Sequence, residues 1–383
     1  MVFWTSGKID KEFIKFTAEE DIKIEEYLLP YVKKALILHA KNLRENDILS
    51  EQELKDIKDI IKRIKVSLTV EKEDSHTALF EAIKEKNSQL ANKLRAYKSR
   101  NEEIAVAESF FFIENLNHLK KSLAELISQY QKLATKYENL PFIGFTHTKI
   151  ATVGKLPDWI NSYTMIIDLE KEQINSLIKK IKLVSLGSGP GYGIYNAHER
   201  KKYQIKHTDG LININNPQVM QHIRVYKHLL VSQFCLNLSF IISRFASDII
   251  FFSSDNNDYI RLSKRIAQGS SAMPHKLNPD VFEILRANHS KFENYVNLCS
   301  AQNHLISGYH RDYQISKEAS VKAILMIQRE VRILVKALSE ISFNSQKINN
   351  DIKKYPELNS FQLLSKKAKK GNDVSKLYEK MRK

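Results

Sequence analysis

The chain has 383 residues with only 11 Gly and 8 Pro, so it is long enough for more than one domain and poor enough in chain breakers to favour long uninterrupted elements. Its two cysteines, Cys235 and Cys299, fall in helical-looking segments without metal-ligand spacing, which argues against a disulfide framework and fits a reducing compartment. The formal charge of +16 comes from Lys scattered through helical patterns instead of one block interleaved with aromatics, so nucleic acid is not an expected partner, whereas the positive field suits a small dicarboxylate.

The opening residues Met1-Val2-Phe3-Trp4 lack a basic region followed by an apolar core, so no signal peptide is expected and a cytoplasmic location fits. From Lys11 to Ile64 apolar residues recur at helical spacing, as in Ile24, Tyr27, Leu28, Tyr31, Ala35 and Leu38. Glu73-Asp74-Ser75-His76 precedes the next such run, where Asp74 and His76 suit either a helix cap or a ligand contact. Ser99-Arg100-Asn101 supplies a guanidinium fork that matches a carboxylate and an amide that both donates and accepts. An amphipathic run from Ile104 to Tyr137 follows. Pro141 and Gly144 then introduce Phe145-Thr146-His147-Thr148-Lys149, in which His147 is either structural or a proton donor near neutral pH.

Leu186-Gly187-Ser188-Gly189-Pro190-Gly191-Tyr192-Gly193 is the most glycine-dense stretch, but no strand precedes it in a βαβ pattern, which argues against a nucleotide site. His198, His207 and Asp209 follow at spacings too irregular for a metal site. Val219 to Ser253 is apolar enough to raise the question of a membrane span. Gln233, Asn237, Arg244 and Asp248 would be costly in hydrocarbon, so a helix buried in an oligomeric bundle is expected, with no membrane partner. Gly269-Ser270-Ser271-Ala272-Met273-Pro274-His275-Lys276-Leu277-Asn278-Pro279 forms a loop between predicted helices. Its Lys276 cation, Asn278 amide and titratable His275 together suit an anion. A helix predicted from Val281 to about Gln302 leads to a polar segment, Ser307 to Glu318, that carries Tyr309, Gln314 and Lys317. After Ser342 only about forty residues remain, mostly Lys-rich and helical in pattern.

The eleven residues from Gly269 to Pro279 resemble the signature loop of the fumarase/aspartase superfamily, whose members eliminate an amine or water from a succinyl group and release fumarate. Asp280-Val281-Phe282-Glu283-Ile284-Leu285-Arg286 is most similar to the argininosuccinate lyase branch, while Ala272 and His275 are similar to adenylosuccinate lyase. Other stretches fall in the register of argininosuccinate lyases: His76 and Asn101 are 25 positions apart, and Asn101 and His147 are 46 apart. Tyr309, Gln314 and Lys317 fit that branch's Tyr-Asn-Arg-Asp-x-Gln-x-x-Lys pattern, and Trp4-Thr5-Ser6-Gly7-Lys8 resembles a degenerate form of its opening. The likeness runs from about residue 3 to about residue 345.

The resemblance implies an all-α fold of three domains: an N-terminal helical domain at 1–101, a central long-helix bundle at 102–345 and a shortened C-terminal helical domain at 346–383. It also implies a homotetramer with a 20-helix core and active sites shared between subunits, with neither metal nor organic cofactor. Ser270 would be the general base, its alkoxide stabilised by loop amides and nearby cations. Lys276 and Asn278, with Ser271 and Met273 beside them, would surround the carboxylate that becomes doubly charged; Thr146 and Ser99 would hold the other. His147, helped by His76, would serve as acid or charge partner, and Arg100, Asn101, Tyr309, Gln314 and Lys317 would complete the substrate contacts. Departures cluster outside the loop. Leu36 stands where a polar contact is usual, Arg95-Ala96-Tyr97-Lys98 replaces His-Thr-Gly-Arg, Lys149 replaces Gln, and Gln218 to His222 lacks the usual Ser-x-Arg-Asp. Three functions stay open: an argininosuccinate lyase, a fumarate-releasing lyase for another amine, and a catalytically silent oligomeric homologue.

Overall fold

In the computed structural model, which describes residues 9–189, 191–193 and 203–382, helices dominate, and the first of them runs through Pro30 without a break. The Trp4-to-Lys8 motif, Pro190 and His198 lie outside the described residues. Asp10 starts α1 (Lys11–Glu45) by accepting from the Glu12 amide at 2.7 Å. A reciprocal Ser50–Glu53 capping box starts α2 (Glu51–Arg63). Asp74 caps α3 (Ser75–Lys86), as its sequence position suggests, and α4 (Ser88–Lys93) follows.

Long helices carry most of the remaining chain: α5 (Arg100–Lys136), α6 (Leu156–Ile181), α7 (Val219–Phe252) and, later, α10 (Tyr313–Leu338). The helix expected from Val281 to Gln302 is two, α8 (Asp280–Ala287) and α9 (His289–Ser300), divided at Asn288, which serves as the C-cap of the first. Short helices α11 (Ser345–Lys354), α12 (Ser360–Ala368) and α13 (Ser375–Arg382) close the chain. The fold is the helical one that the sequence predicts, and its described strands form four two-stranded pairs. These are β1 (Pro141–Thr146) with β2 (Lys149–Lys155), β3 (Leu183–Val184) with β4 (Ile212–Asn213), β5 (Ile260–Leu262) with β8 (Ile341–Phe343), and β6 (Gln268–Gly269) with β7 (Leu277–Asn278).

The chain divides into two compact units. The first comprises Met1–Leu119, Gln173–Leu236 and Phe292–Met326; its core brings Leu28 and Val32 of α1 together with Leu79 and Ile83 of α3 and the Phe111–Phe112 pair of α5, all nearly fully buried. Phe111 meets Tyr31 edge-on at 5.4 Å, and Phe112 meets His228 at 5.7 Å. The second comprises Lys120–Glu172, Asn237–Lys291 and Ile327–Lys383, and its core is aromatic. Trp159 packs on Phe142 at 5.2 Å and Phe245 at 5.8 Å, and Tyr130 meets Phe245 at 5.1 Å. Aromatic pairs of this kind add stabilisation beyond their buried area.

Helix α7 is long and apolar enough to cross a membrane by length and composition, yet 56% of its most apolar window is buried inside the chain. Two of its polar groups, Lys227 and Asp248, have protein partners. Lys227 donates to Ser109 Oγ and to the Leu183 carbonyl, both at 2.7 Å, and the Asp248 carboxylate accepts from Trp159 Nε1 at 3.0 Å and Tyr163 OH at 2.7 Å. These side chains are matched to a protein interior, where each polar group needs a partner.

Candidate active site

Seven of the predicted contacts lie in the first unit: His76, Ser99, Arg100, Asn101, Tyr309, Gln314 and Lys317. Helix starts place most of them. Arg100 and Asn101 form the first turn of α5, where Ser99 Oγ accepts from the Glu102 amide at 3.4 Å. Asp74 both caps α3 and receives Arg100, whose Nε donates to Oδ2 at 2.8 Å, while Arg100 Nη1 reaches Glu73 Oε2 at 3.3 Å. Burial alone would raise the Asp74 carboxyl, but the Arg100 guanidinium, His76, the Thr77 amide and Lys317 together outweigh it and hold Asp74 below the ordinary carboxylate range.

Across from this pair, Lys317 on the first turns of α10 donates to both Asp21, at 2.8 Å, and Glu25 on α1. Gln314 donates to the same Asp21 oxygen at 3.0 Å, and the Ser75 amide donates to Glu25 at 3.1 Å. Lys317, Asp21 and Glu25 are all buried. Burial would lower the Lys317 ammonium, but Glu25 and Asp21 prevail and hold it well above the ordinary Lys value. Between the two ion-pair groups lies a cavity of about 120 Å³, and Arg100, Asn101, Tyr309, Gln314 and Lys317 all line it. The sequence reasoning assigned these five residues to substrate; it did not find Asp21, Glu25 or Arg224, which line the cavity or neutralise its cation.

A second cavity, of about 360 Å³, lies on the His76 side of Arg100 and is lined by Leu36, Thr77, Phe80, Arg95, Lys98 and Glu103 as well. His76 Nδ1 is 3.5 Å from Glu103 Oε2, and Lys98 pairs with the same oxygen at 3.0 Å. Burial pushes the Glu103 carboxyl up, but Lys98 and His76 overcome it and hold it low. Tyr97 adopts a left-handed backbone (φ 55), a conformation that Gly takes more readily than a bulky residue. Its ring stacks on Tyr203 at 4.7 Å.

The glycine-dense loop turns its amides inward. Gly187 and Ser188 donate to the two Glu102 oxygens at 2.7 and 3.0 Å, so this cradle already holds an anion belonging to the chain. Complete burial pushes the Glu102 carboxyl up to about 7 against the pull of those amides. Among the described residues no group of three His, Cys, Asp or Glu is placed to hold a metal ion.

The other seven predicted residues lie in the second unit: Thr146, His147, Ser270, Ser271, Met273, Lys276 and Asn278. The β6–β7 pairing, Gln268 with Asn278 and Gly269 with Leu277, closes the signature loop at its base. Ser270 is half-buried, and its Oγ accepts from the Met273 amide at 3.1 Å. Ser271, Met273 and Lys276 are exposed and Asn278 is half-buried. Thr146 ends β1, and His147 and Thr148 form the two-residue turn to β2, both in the left-handed region (φ 51 and 59). Such hairpins favour Asn-Gly; a His-Thr turn is strained, and strain of this kind gathers at functional sites. The residue pattern assigns no strands here, and the hairpin is visible in the structure alone.

A family model described as Lyase matches residues 6–291. The chain belongs to this lyase family, within the fumarase/aspartase superfamily. It is 29% identical over 359 residues to the argininosuccinate lyase of Thermotoga neapolitana, across 91% of this chain and 90% of that protein. To the argininosuccinate lyase of Bacteroides fragilis it is 25% identical over 385 residues, covering 98% and 85%. Solved lyases share the fold. The fumarate lyase from Mesorhizobium sp. BNC1 superposes with a TM-score of 0.72 at 12% identity, over 86% of this chain and 77% of that one. The class II fumarase from Schistosoma mansoni gives 0.68 at 15% identity, over 86% and 78%.

Proposed function

We propose that this lyase eliminates an amine from a succinyl adduct and releases fumarate, with argininosuccinate as the first substrate to test. The observation that carries the reading is the 120 Å³ cavity, because five predicted contacts drawn from positions 100–101 and 309–317 line it together. Accidental motif matches have no reason to converge on one donor-rich cavity. Relatives that share most of the chain and are named argininosuccinate lyase support the choice of amine.

The reaction removes a proton from the carbon next to one carboxylate, leaving an electron pair that delocalises into that carboxylate as a doubly charged aci-carboxylate. The electron pair then returns to form a new carbon–carbon double bond to the amine-bearing carbon as its bond to nitrogen breaks, and the amine takes a proton as it leaves. Ser270 is the proposed base. A free hydroxyl is far too weak for this at neutral pH, so the alkoxide needs donors, and the Met273 amide at 3.1 Å from Ser270 Oγ supplies one. Lys276 and Asn278, with Ser271 and Met273, would face the aci-carboxylate. Thr146 and Ser99 would hold the second carboxylate, and His147, at the tip of a strained turn, would protonate the amine. The reading includes a cytoplasmic homotetramer with active sites shared between subunits and the three-domain division at residues 101 and 345.

A second reading keeps the elimination and changes the amine. The larger cavity favours it, because Leu36 and Phe80 give it an apolar floor while Arg95, Lys98 and Arg100 outnumber Glu103. That lining suits an apolar or anionic amine better than a guanidinium. Incubating purified protein with argininosuccinate, adenylosuccinate, aspartate and malate, and following fumarate by its ultraviolet absorbance, separates the readings. Fumarate from argininosuccinate supports the first, fumarate from adenylosuccinate or aspartate alone supports the second, fumarate from malate alone makes water and not an amine the leaving group, and none from any defeats the elimination.

A further inference from the structure

We infer that Arg224, in the 120 Å³ cavity beside Asn101 and Tyr309, shares the binding of the substrate carboxylate assigned above to Ser99 and Thr146. The inference deepens the proposed elimination and rests on it for the identity of the ligand as a short dicarboxylate. Arg224 lies near the start of α7, only 6% exposed, with its guanidinium carbon 5.0 Å from the centre of the Tyr309 ring and 5.9 Å from that of Tyr313. Two aromatic rings therefore fix the plane of the fork. Its nearest carboxylate, Glu108, is 3.5 Å from Nε, yet neither Nε nor Nη1 has a hydrogen-bond acceptor among the described residues. Glu108 also faces His228 Nε2 at 3.4 Å, so its charge is shared.

The other cations lining the cavity are engaged. Arg100 is held by Asp74 and Glu73, Lys317 by Asp21 and Glu25, and Arg311 lies 3.9 Å from Glu73. A buried guanidinium with unmet donors is costly unless an anion completes it, and a carboxylate accepts from the planar fork through both oxygens. The cavity, of about 120 Å³, leaves room for a short dicarboxylate. The plainer account makes Arg224 only the structural partner of Glu108, and it leaves the two bare donors unexplained. The superfamily resemblance did not point to this residue.

The test is calorimetric titration of the full-length protein with succinate, a dicarboxylate that cannot undergo the elimination, in wild type, Arg224→Lys and Arg224→Met. The expected result is a Kd for succinate raised roughly 10- to 100-fold in Arg224→Met and less in Arg224→Lys, which keeps the charge and loses the fork. On the adduct that wild type cleaves, KM rises more than kcat falls. Wild-type succinate affinity in a folded Arg224→Met protein overturns the inference, as does a wild-type protein that does not bind succinate. Should Arg224→Met fail to fold, Arg224→Lys decides: weaker succinate binding supports the site, and unchanged binding overturns it. Fumarate release with unchanged KM in the variants removes this role and leaves the elimination standing. Arg224-dependent succinate binding with no fumarate from any adduct keeps the site and removes the elimination.

Discussion

Replacing Lys317 by Met leaves two buried carboxylates without their cation. Lys317 is 3% exposed, and its ammonium lies 2.7 Å from Asp21 Oδ1 and against Glu25, which are themselves 6% and 2% exposed. Removing one partner of a buried ion pair costs roughly 3–5 kcal/mol, since the charge left behind has lost both water and counter-ion. Here Gln314 still donates to Asp21 at 3.0 Å and the Ser75 amide to Glu25 at 3.1 Å, so the lower end of that range is expected. A loss of this size is a large part of the roughly 5–15 kcal/mol that holds a typical domain folded, and it appears directly in a urea titration followed by circular dichroism. Burial already pushes Asp21 upward, with Lys317 opposing it, so in the variant its carboxyl titrates higher when folded than when unfolded. The deficit therefore shrinks as pH falls toward the ordinary carboxylate range and is fully present at neutral pH. Adding Asp21→Asn to Lys317→Met recovers part of the loss, because one stranded charge is gone. A single variant within about 1 kcal/mol of wild type at pH 7 would show that the cluster is hydrated and refute the reasoning.

Ser270→Ala is expected to keep the oligomer and succinate binding while lowering kcat for fumarate release by roughly 10²–10⁴-fold; an unchanged rate passes the base role to His147 or His275. Burial pushes the Lys227 ammonium down to about 7 from an ordinary 10.5, although Glu108 opposes it. Its contribution to stability is therefore fully present above 10.5 and is lost as pH falls through about 7. Urea titrations should show wild type gaining about 2 kcal/mol from pH 7 to pH 9, with that gain absent in Lys227→Met; parallel curves would contradict the assignment. Thr148, a β-branched residue at φ 59, strains the β1–β2 turn, so Thr148→Gly should raise the unfolding free energy by up to about 1 kcal/mol, and a clear loss would mean that the turn is not strained.

The helices and the motif positions were legible because both are local. Apolar spacing from Ile24 to Leu38 marks a face of α1 that is buried at Ile24, Leu28, Ala35 and Leu38 but exposed at Tyr27, and an Asp before an apolar run marks a cap, which Asp74 provides. Local pattern carries no information about which distant charges meet. Lys317 was legible as a polar residue in a motif, but its partners Asp21 and Glu25 lie almost 300 positions earlier, in a helix read only for its apolar spacing. Arg224 sits in a stretch where only the absence of the usual polar motif attracted notice; a cation entering an apolar helix was the available signal. The β1–β2 hairpin escaped because its turn has neither Asn nor Gly. Gly187 was legible as a permissive backbone position, whereas its service to Glu102 depends on a side chain 85 positions away.

The central claim is that this chain makes and breaks a bond between an amine and a succinyl carbon. It is tested most directly by running the reaction backwards in D₂O with fumarate and arginine and following the products by proton NMR. The account predicts loss of the fumarate signal and formation of an adduct carrying one deuterium, placed stereospecifically next to the carboxylate, with neither change in Ser270→Ala. Fumarate that persists unchanged with arginine and with every other amine offered, in the presence of folded wild-type protein that binds succinate, would contradict it.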